Sequence, residues 1–206
     1  MGDQGGSQVT SLKKYRSHNL KALNIMLEYR QLKEDPPLGV YLLPTFDNAR
    51  RFSGVIFLDK GLYKNAIFKF ELALPEEYPA EGALPKLIFS SRVYHPLVDN
   101  QTNQLDLEVQ FQRWNPANEN HNLHGVMRYV KRIFYLKDFT AIPRAANKAA
   151  WLLVKTNQTR FLENVEDCVQ NSMERSFKNE PGSSIRFTDY SKQHDINRDR
   201  VLQSLS

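Results

Sequence analysis

Polar and apolar residues follow one another along this chain with two periods, and the switches between them mark its elements. From Ser11 onward Leu12, Tyr15, Leu20, Leu23, Met26, Leu27 and Leu32 recur at helical spacing with charges between them. Pro36-Pro37 stops that pattern, because proline has no amide proton and its ring clashes with the preceding turn. Four short apolar runs follow, over residues 39–46, 52–58, 66–74 and 85–89. In the third, Phe68, Phe70, Leu72 and Leu74 fall on one face while Lys69 and Glu71 fall on the other. Asp59-Lys60-Gly61 supplies turn residues between the second and third runs. Connections this short leave no room for crossover helices, so the pattern predicts a four-stranded antiparallel meander.

After Phe89 the pattern lapses until about Asn122. An unpatterned stretch of that length in a compact domain is usually functional, and Tyr94, Leu105, Leu107, Phe111 and Trp114 would pin it to a core as a long ordered loop. Leu123, Val126, Met127, Val130, Ile133 and Phe134 then form a helical stripe, with Arg128, Lys131 and Arg132 opposite. Pro143 breaks the chain, residues 145–154 read as a short helix, and Thr156 or Asn157 caps a longer one. Its stripe is Phe161, Val165, Cys168, Val169, Met173 and Phe177, and Pro181-Gly182 ends it. The polar tail keeps Ile185, Phe187 and Tyr190 as apolar points and closes with a short helix near residues 195–202. Strands followed by helices predict an α+β fold. The expected division is a disordered Gly/Ser/Gln-rich tail over 1–10, a core domain over 11–155 and a C-terminal helical extension and tail over 156–206.

Composition narrows the chemistry. With 41% hydrophobic and 11% aromatic residues in 206, the chain can build a core and is not of disordered type. No apolar run is long enough to span a bilayer. The N-terminus has no apolar segment behind its charges, and Gly6 stands where myristoylation wants Ser or Thr, so neither a secretory signal nor that lipid anchor is expected. Cys168 is the single cysteine, which excludes an internal disulfide and multi-cysteine zinc sites and suits the cytosol. The net charge of +5 is scattered without an aromatic-interleaved stripe, so nucleic-acid binding is not expected. His121 and His124 lie three apart but lack further ligands, and no metal or cofactor is expected. Cys168 on an apolar stripe reads as a small hydrophobe rather than a nucleophile. His95, before a proline, reads as a residue that fixes the loop rather than a general base. Trp114 fits either a partner anchor or packing under the loop.

Several motifs go further. Glu77-Tyr78-Pro79, then Leu84-Pro85-Lys86-Leu87-Ile88-Phe89, then Val93-Tyr94-His95-Pro96 resembles the segment that leads into the active site of ubiquitin-conjugating enzymes. Trp114-Asn115-Pro116 and Pro143-Arg144-Ala145-Ala146-Asn147-Lys148-Ala149-Ala150 are similar to later motifs of that family, and the resemblance covers roughly residues 12–175. In those enzymes the segment ends His-Pro-Asn, and a cysteine that carries ubiquitin as a thioester follows. Here Leu97 stands in the asparagine's place, and the register puts Asp106 in the cysteine's. Leucine offers no hydrogen bond to a developing oxyanion, and a carboxylate is a poor nucleophile beside a thiolate. The resemblance therefore implies a catalytically inactive variant.

Within that group, His95-Pro96-Leu97-Val98-Asp99 followed by Leu105-Asp106, together with Gly54-Val55-Ile56-Phe57, Gly61-Leu62-Tyr63, Phe68-Lys69-Phe70 and Ile185-Arg186-Phe187, resembles the fused-toes, AKT-interacting protein and crossbronx family. That resemblance implies a cytoplasmic scaffold that joins a Hook-type coiled-coil protein and a Hook-and-fused-toes-interacting partner, linking endosomal cargo to dynein on microtubules. The alternative is a non-covalent ubiquitin-binding cofactor of an active conjugating enzyme. The expected degenerate loop comprises His95, Pro96, Leu97, Asp106 and Trp114. Phe161, Val165, Val169, Met173 and Phe177, with Ile185 and Phe187 in the tail, either pack on their own domain or face a partner.

Overall fold

The computed structural model of the chain describes residues 4–204. Helix α1 runs Gln4–Glu34, so it starts well before Ser11. The expected tail over 1–10 is thus helical from Gln4, and its first three residues lie outside the described residues. Once a helix is nucleated, each added residue costs little and gains a hydrogen bond, and no proline precedes Ser11 to stop it.

Strands β1 (Val40–Pro44), β2 (Arg51–Phe57), β3 (Ile67–Ala73) and β4 (Lys86–Phe89) form one antiparallel meander in the order β1-β2-β3-β4. The register pairs Phe52 with Leu72, Gly54 with Phe70 and Ile56 with Phe68, which sets these residues on one face. Gly54 has no side chain because the Phe70 ring lies across it: a Cβ there would sit 2.2 Å from the ring. Helices α1 and α3 (Leu123–Ile133) cover this face. Tyr29 of α1 lies 5.7 Å from Phe52, and Phe134, just after α3, stacks 5.2 Å from Phe68. Glu28 ties the two helices: its carboxylate accepts from the Tyr78 hydroxyl and from the Leu123 amide at the start of α3. Burial raises its pKa above the ordinary carboxylate value.

One helical turn, α2 (Glu108–Phe111), interrupts the long loop. Asn147 caps α4 (Lys148–Thr156), and Asn157 caps α5 (Gln158–Glu174), as one of the two expected caps. Helix α5 is not an extension. Phe161, Val165, Cys168 and Val169 join the same buried cluster as the sheet and α3, so no separate unit begins at residue 156. The reason lies in β4, which has four residues and leaves the start of β3 unpaired. Ser172 of α5 fills that gap, accepting from the Ile67 amide at 3.1 Å. The last helix, α6 (Lys192–Ser204), is polar. Among the described residues no helix is long and apolar enough to cross a membrane.

Candidate functional site

The bend that follows β4 is built by backbone pairing. Leu105 donates its amide to Leu87 O and Phe89 donates to Asn103 O, so the returning limb lies along β4. Asp99 Oδ1 accepts from the amides of Gln101 and Thr102 and from the Thr102 hydroxyl, which turns the chain. Val98 bridges to Leu105, and the Asp106 amide donates to Leu97 O. Asp106 thus faces Leu97 across a small hairpin.

His95 locks the start of this hairpin. Its Nδ1 accepts from the Leu97 amide at 2.9 Å, so the proton sits on Nε2, which donates to Ile133 O at the end of α3. The ring is fully buried among Tyr63, Phe134 and Phe139. That burial lowers its pKa to about 4, so the imidazole is neutral near pH 7. Both nitrogens are committed, and His95 is a brace, not a base. Pro96 O accepts from the Asn147 amide, which ties the bend to α4 as well.

The Asp106 carboxylate is equally committed. Arg144 donates from Nε to Oδ2 at 2.9 Å and from Nη2 to Oδ1 at 2.6 Å, and Nη2 also reaches Glu108. Oδ1 accepts from the Glu108 amide as well, and the Tyr129 hydroxyl donates to Asp106 O. Hydrogen bonds to both acids raise the pKa of the Arg144 guanidinium above its ordinary value. A carboxylate held by a bidentate guanidinium is stabilised as an anion and withdrawn from nucleophilic attack. Leu97 is buried, and no donor stands in its place. Beside it lies a pocket of about 150 Å3, mostly apolar and lined by Leu97, Val109, Ile133 and Ile142 together with Tyr129, Arg132 and Asp138.

Sequence spacing did not reveal Arg144 as the partner of Asp106. The two lie 38 residues apart, and only the docking of α4 against the bend brings them together. Tyr129, 23 residues from Asp106, and Glu108, 36 residues from its partner Arg144, were missed for the same reason.

Cys168 is no displaced nucleophile. Its sulfur accepts from the Tyr94 amide at 3.2 Å and donates to Arg92 O, and burial pushes its pKa up to about 11. Trp114 is core: its ring packs on Tyr78, Phe111 and His121, and it is not open to a partner. His121 Nδ1 accepts from the Asn115 amide, and His124 lies 3.8 Å from Asp35. Among the described residues no three metal-ligating side chains converge.

The expected partner stripe divides. Phe161, Val165 and Val169 are interior, so of the two readings of this stripe they take own-domain packing and drop out as partner-facing candidates; Met173 is half-buried. The stripe packs because Phe161 meets Tyr94 and Phe139 on the flank of the bend. Phe177 is exposed, and beyond it the chain crosses the outer face of the sheet as a strap. Ser184 donates its amide to Ser53 Oγ and its hydroxyl to Pro44 O, and Ile185 is buried. Asn179 brackets the backbone of Phe187, whose ring lies 5.9 Å from Phe57 and 4.4 Å from the Lys69 ammonium. Lys69 also donates to Lys178 O, and burial lowers its pKa.

Comparison with known proteins accounts for this architecture. The profile described as ubiquitin-conjugating enzyme matches residues 24–169. A crossbronx homolog of Culex quinquefasciatus is 32% identical over 164 residues, spanning 79% of this chain and 70% of that protein. An AKTIP homolog of Nematostella vectensis is 34% identical over 206 residues, spanning 98% of this chain and 66% of that one. Human AKT-interacting protein is 34% identical over 183 residues, 87% of this chain and 61% of its own length.

Proposed function

The chain belongs to the ubiquitin-conjugating enzyme family, with AKT-interacting protein and crossbronx among its relatives, and from that premise we propose that it is a non-catalytic scaffold. The observation that carries this reading is the Asp106–Arg144 pair. In the register of the family's motifs Asp106 takes the place of the thioester cysteine, and its carboxylate is neutralised by a guanidinium instead of being free to attack. An acyl anhydride formed there would hydrolyse, and buried Leu97 gives no oxyanion donor. The fold is then kept for what it can bind.

The finer reading follows the resemblance. The chain joins a Hook-type coiled-coil protein and a Hook-and-fused-toes-interacting partner, and through them endosomal cargo, dynein and microtubules, in the cytoplasm. Two experiments test it. Incubation with activating enzyme, ATP and ubiquitin gives no reducible adduct on a non-reducing gel; an adduct lost in Cys168→Ser overturns the non-catalytic reading. Affinity purification at near-native expression recovers a Hook-type coiled-coil protein under mild conditions, and its absence removes the specific complex. A saturable amide-shift titration with ubiquitin would move the assignment to a ubiquitin-binding cofactor.

A further inference from the structure

The end of α5, the outer face of β3 and the root of the strap meet at a small polar cleft of about 30 Å3. Lys69, Ser172, Arg175, Ser176, Lys178 and Glu180 are among its lining residues. Lys69 comes from β3, Ser172, Arg175 and Ser176 from the end of α5, and the other two from the strap. The cleft shares no residue with the Asp106–Arg144 pair.

The Lys69 ammonium is held here without a countercharge. Its residue is 8% exposed, and its partners are two neutral oxygens, Lys178 O and Asn179 Oδ1, and the face of the Phe187 ring. Burying an ammonium is costly unless an anion answers it. Glu180 attracts Lys69 from a distance, but among the described residues no carboxylate forms an ion pair with Lys69, Arg175 or Lys178. Ser176 gives a second, independent sign. It is 6% exposed, yet its hydroxyl has no hydrogen-bond partner among the described residues. Ser172, one turn back, is satisfied by the Ile67 amide and by Val169 O.

Size and charge select the occupant. The lining sets three cations against one carboxylate. The negative end of α5 answers only about half a charge of that surplus. A volume of about 30 Å3 is the share of roughly one water, so it admits oxygen atoms but bars a sugar or a base. Arg175 and Lys178 are exposed at the rim. Guanidinium, ammonium and hydroxyl donors converging from three elements suit the several acceptor oxygens of a phosphate. We infer that this cleft binds the head of a phosphate dianion, free or as a monoester, with Lys69 and Ser176 meeting the oxygens that enter and Arg175 and Lys178 holding those outside. The site stands apart from the scaffold reading and does not depend on it.

The test uses the full chain in phosphate-free buffer. Inorganic phosphate and O-phosphoserine are the probes, and chloride at matched ionic strength is the control. Amide chemical-shift titration gives saturable shifts over residues 67–69 and 172–180 with at least one phosphate and none with chloride. Ser176→Ala weakens the affinity at least about fivefold and Lys69→Met at least about tenfold. Arg175→Gln weakens it roughly threefold, being exposed and screened. Arg160→Gln removes the same charge from α5 outside the cleft and leaves the affinity unchanged. Lys69→Met also frees the root of the strap, so Ser176→Ala and Arg175→Gln, which leave Lys69 in place, decide the case. Tighter binding of phosphoserine assigns a monoester, and tighter binding of inorganic phosphate assigns the free ion. No saturable shift with either probe overturns the proposal, as does an equal response to chloride. So does an affinity that Ser176→Ala leaves unchanged, or that Arg160→Gln lowers as much as Arg175→Gln, since the phosphate is then only screening surface charge.

Discussion

Helices α1 and α5 carry apolar stripes of similar spacing, yet one lies open and the other is sealed. In α5, Phe161, Val165 and Val169 close over the start of β3 and the approach to the bend, where a four-residue β4 leaves the sheet short. In α1, Ile25 and Leu32 reach the core while Leu20, Leu23, Met26 and Leu27 do not. A helix stripe therefore reports amphipathicity but not what covers it. The covering is decided by the shape of the sheet and by the two hinges, Asn147 and Asn157, that fold α4 and α5 back on it.

The sealed side breaks hardest. Phe161→Ala removes a fully packed ring between Tyr94 and Phe139, at a cost of about 3–5 kcal/mol, and a urea titration should show the midpoint fall accordingly. A loss below about 1 kcal/mol would mean that α5 is only loosely attached and would return its stripe to the partner-binding side.

The bend that α5 flanks adds a pH signature. His95 is held at about 4, below the ordinary 6.5, by burial. As pH falls the unfolded chain takes up this proton first. The contribution is therefore complete above about pH 6.5 and is lost progressively as the pH falls towards 4, with a total of roughly 2–4 kcal/mol. Unfolding midpoints of wild type and His95→Gln, compared between pH 7.5 and 4.5, should converge in that window as the wild type loses its excess. A constant difference would show that the ring is not neutral and buried in solution.

The third effect is smaller. Arg144→Ala frees Asp106 and Glu108, but the guanidinium is half exposed, so solvent screening leaves about 1 kcal/mol. Repeating the titration in high salt should shrink the difference. A loss unchanged by salt would mean that the pair acts through packing.

Much of this architecture was legible in the chain. The antiparallel meander follows from the alternation of Phe68, Phe70 and Leu72 and from the short connections, and the α3 stripe from Leu123 to Ile133 is packed as its spacing predicts. What was not legible depended on contacts between distant residues. The α1 start was hidden because a glycine-rich segment has weak helix propensity by itself yet follows a helix already nucleated. The role of Arg144 was hidden because a side-chain pair 38 residues apart leaves no periodic trace. The strap was half legible: Ile185 and Phe187 read as apolar points that either pack on their own domain or face a partner, and only the register that sets Ser53 and Phe57 on the outer sheet face gives them a seat.

The smallest expected effect on stability is the one that sharpens the contrast most. Leu23→Asp with Met26→Asp places two carboxylates on the open face of α1, where both side chains already meet solvent. Surface substitutions of this kind fall within about 0.5 kcal/mol of neutral, less the modest helix propensity of aspartate. The urea midpoint should stay near wild type even though the change in polarity is larger than in Phe161→Ala. A fall comparable to that of the α5 variant would show the α1 seam to be covered in solution, by another segment of this chain or by a second copy. A variant as stable as wild type would show instead that two stripes of similar spacing stand in opposite surroundings, one sealed into the fold and one open to solvent.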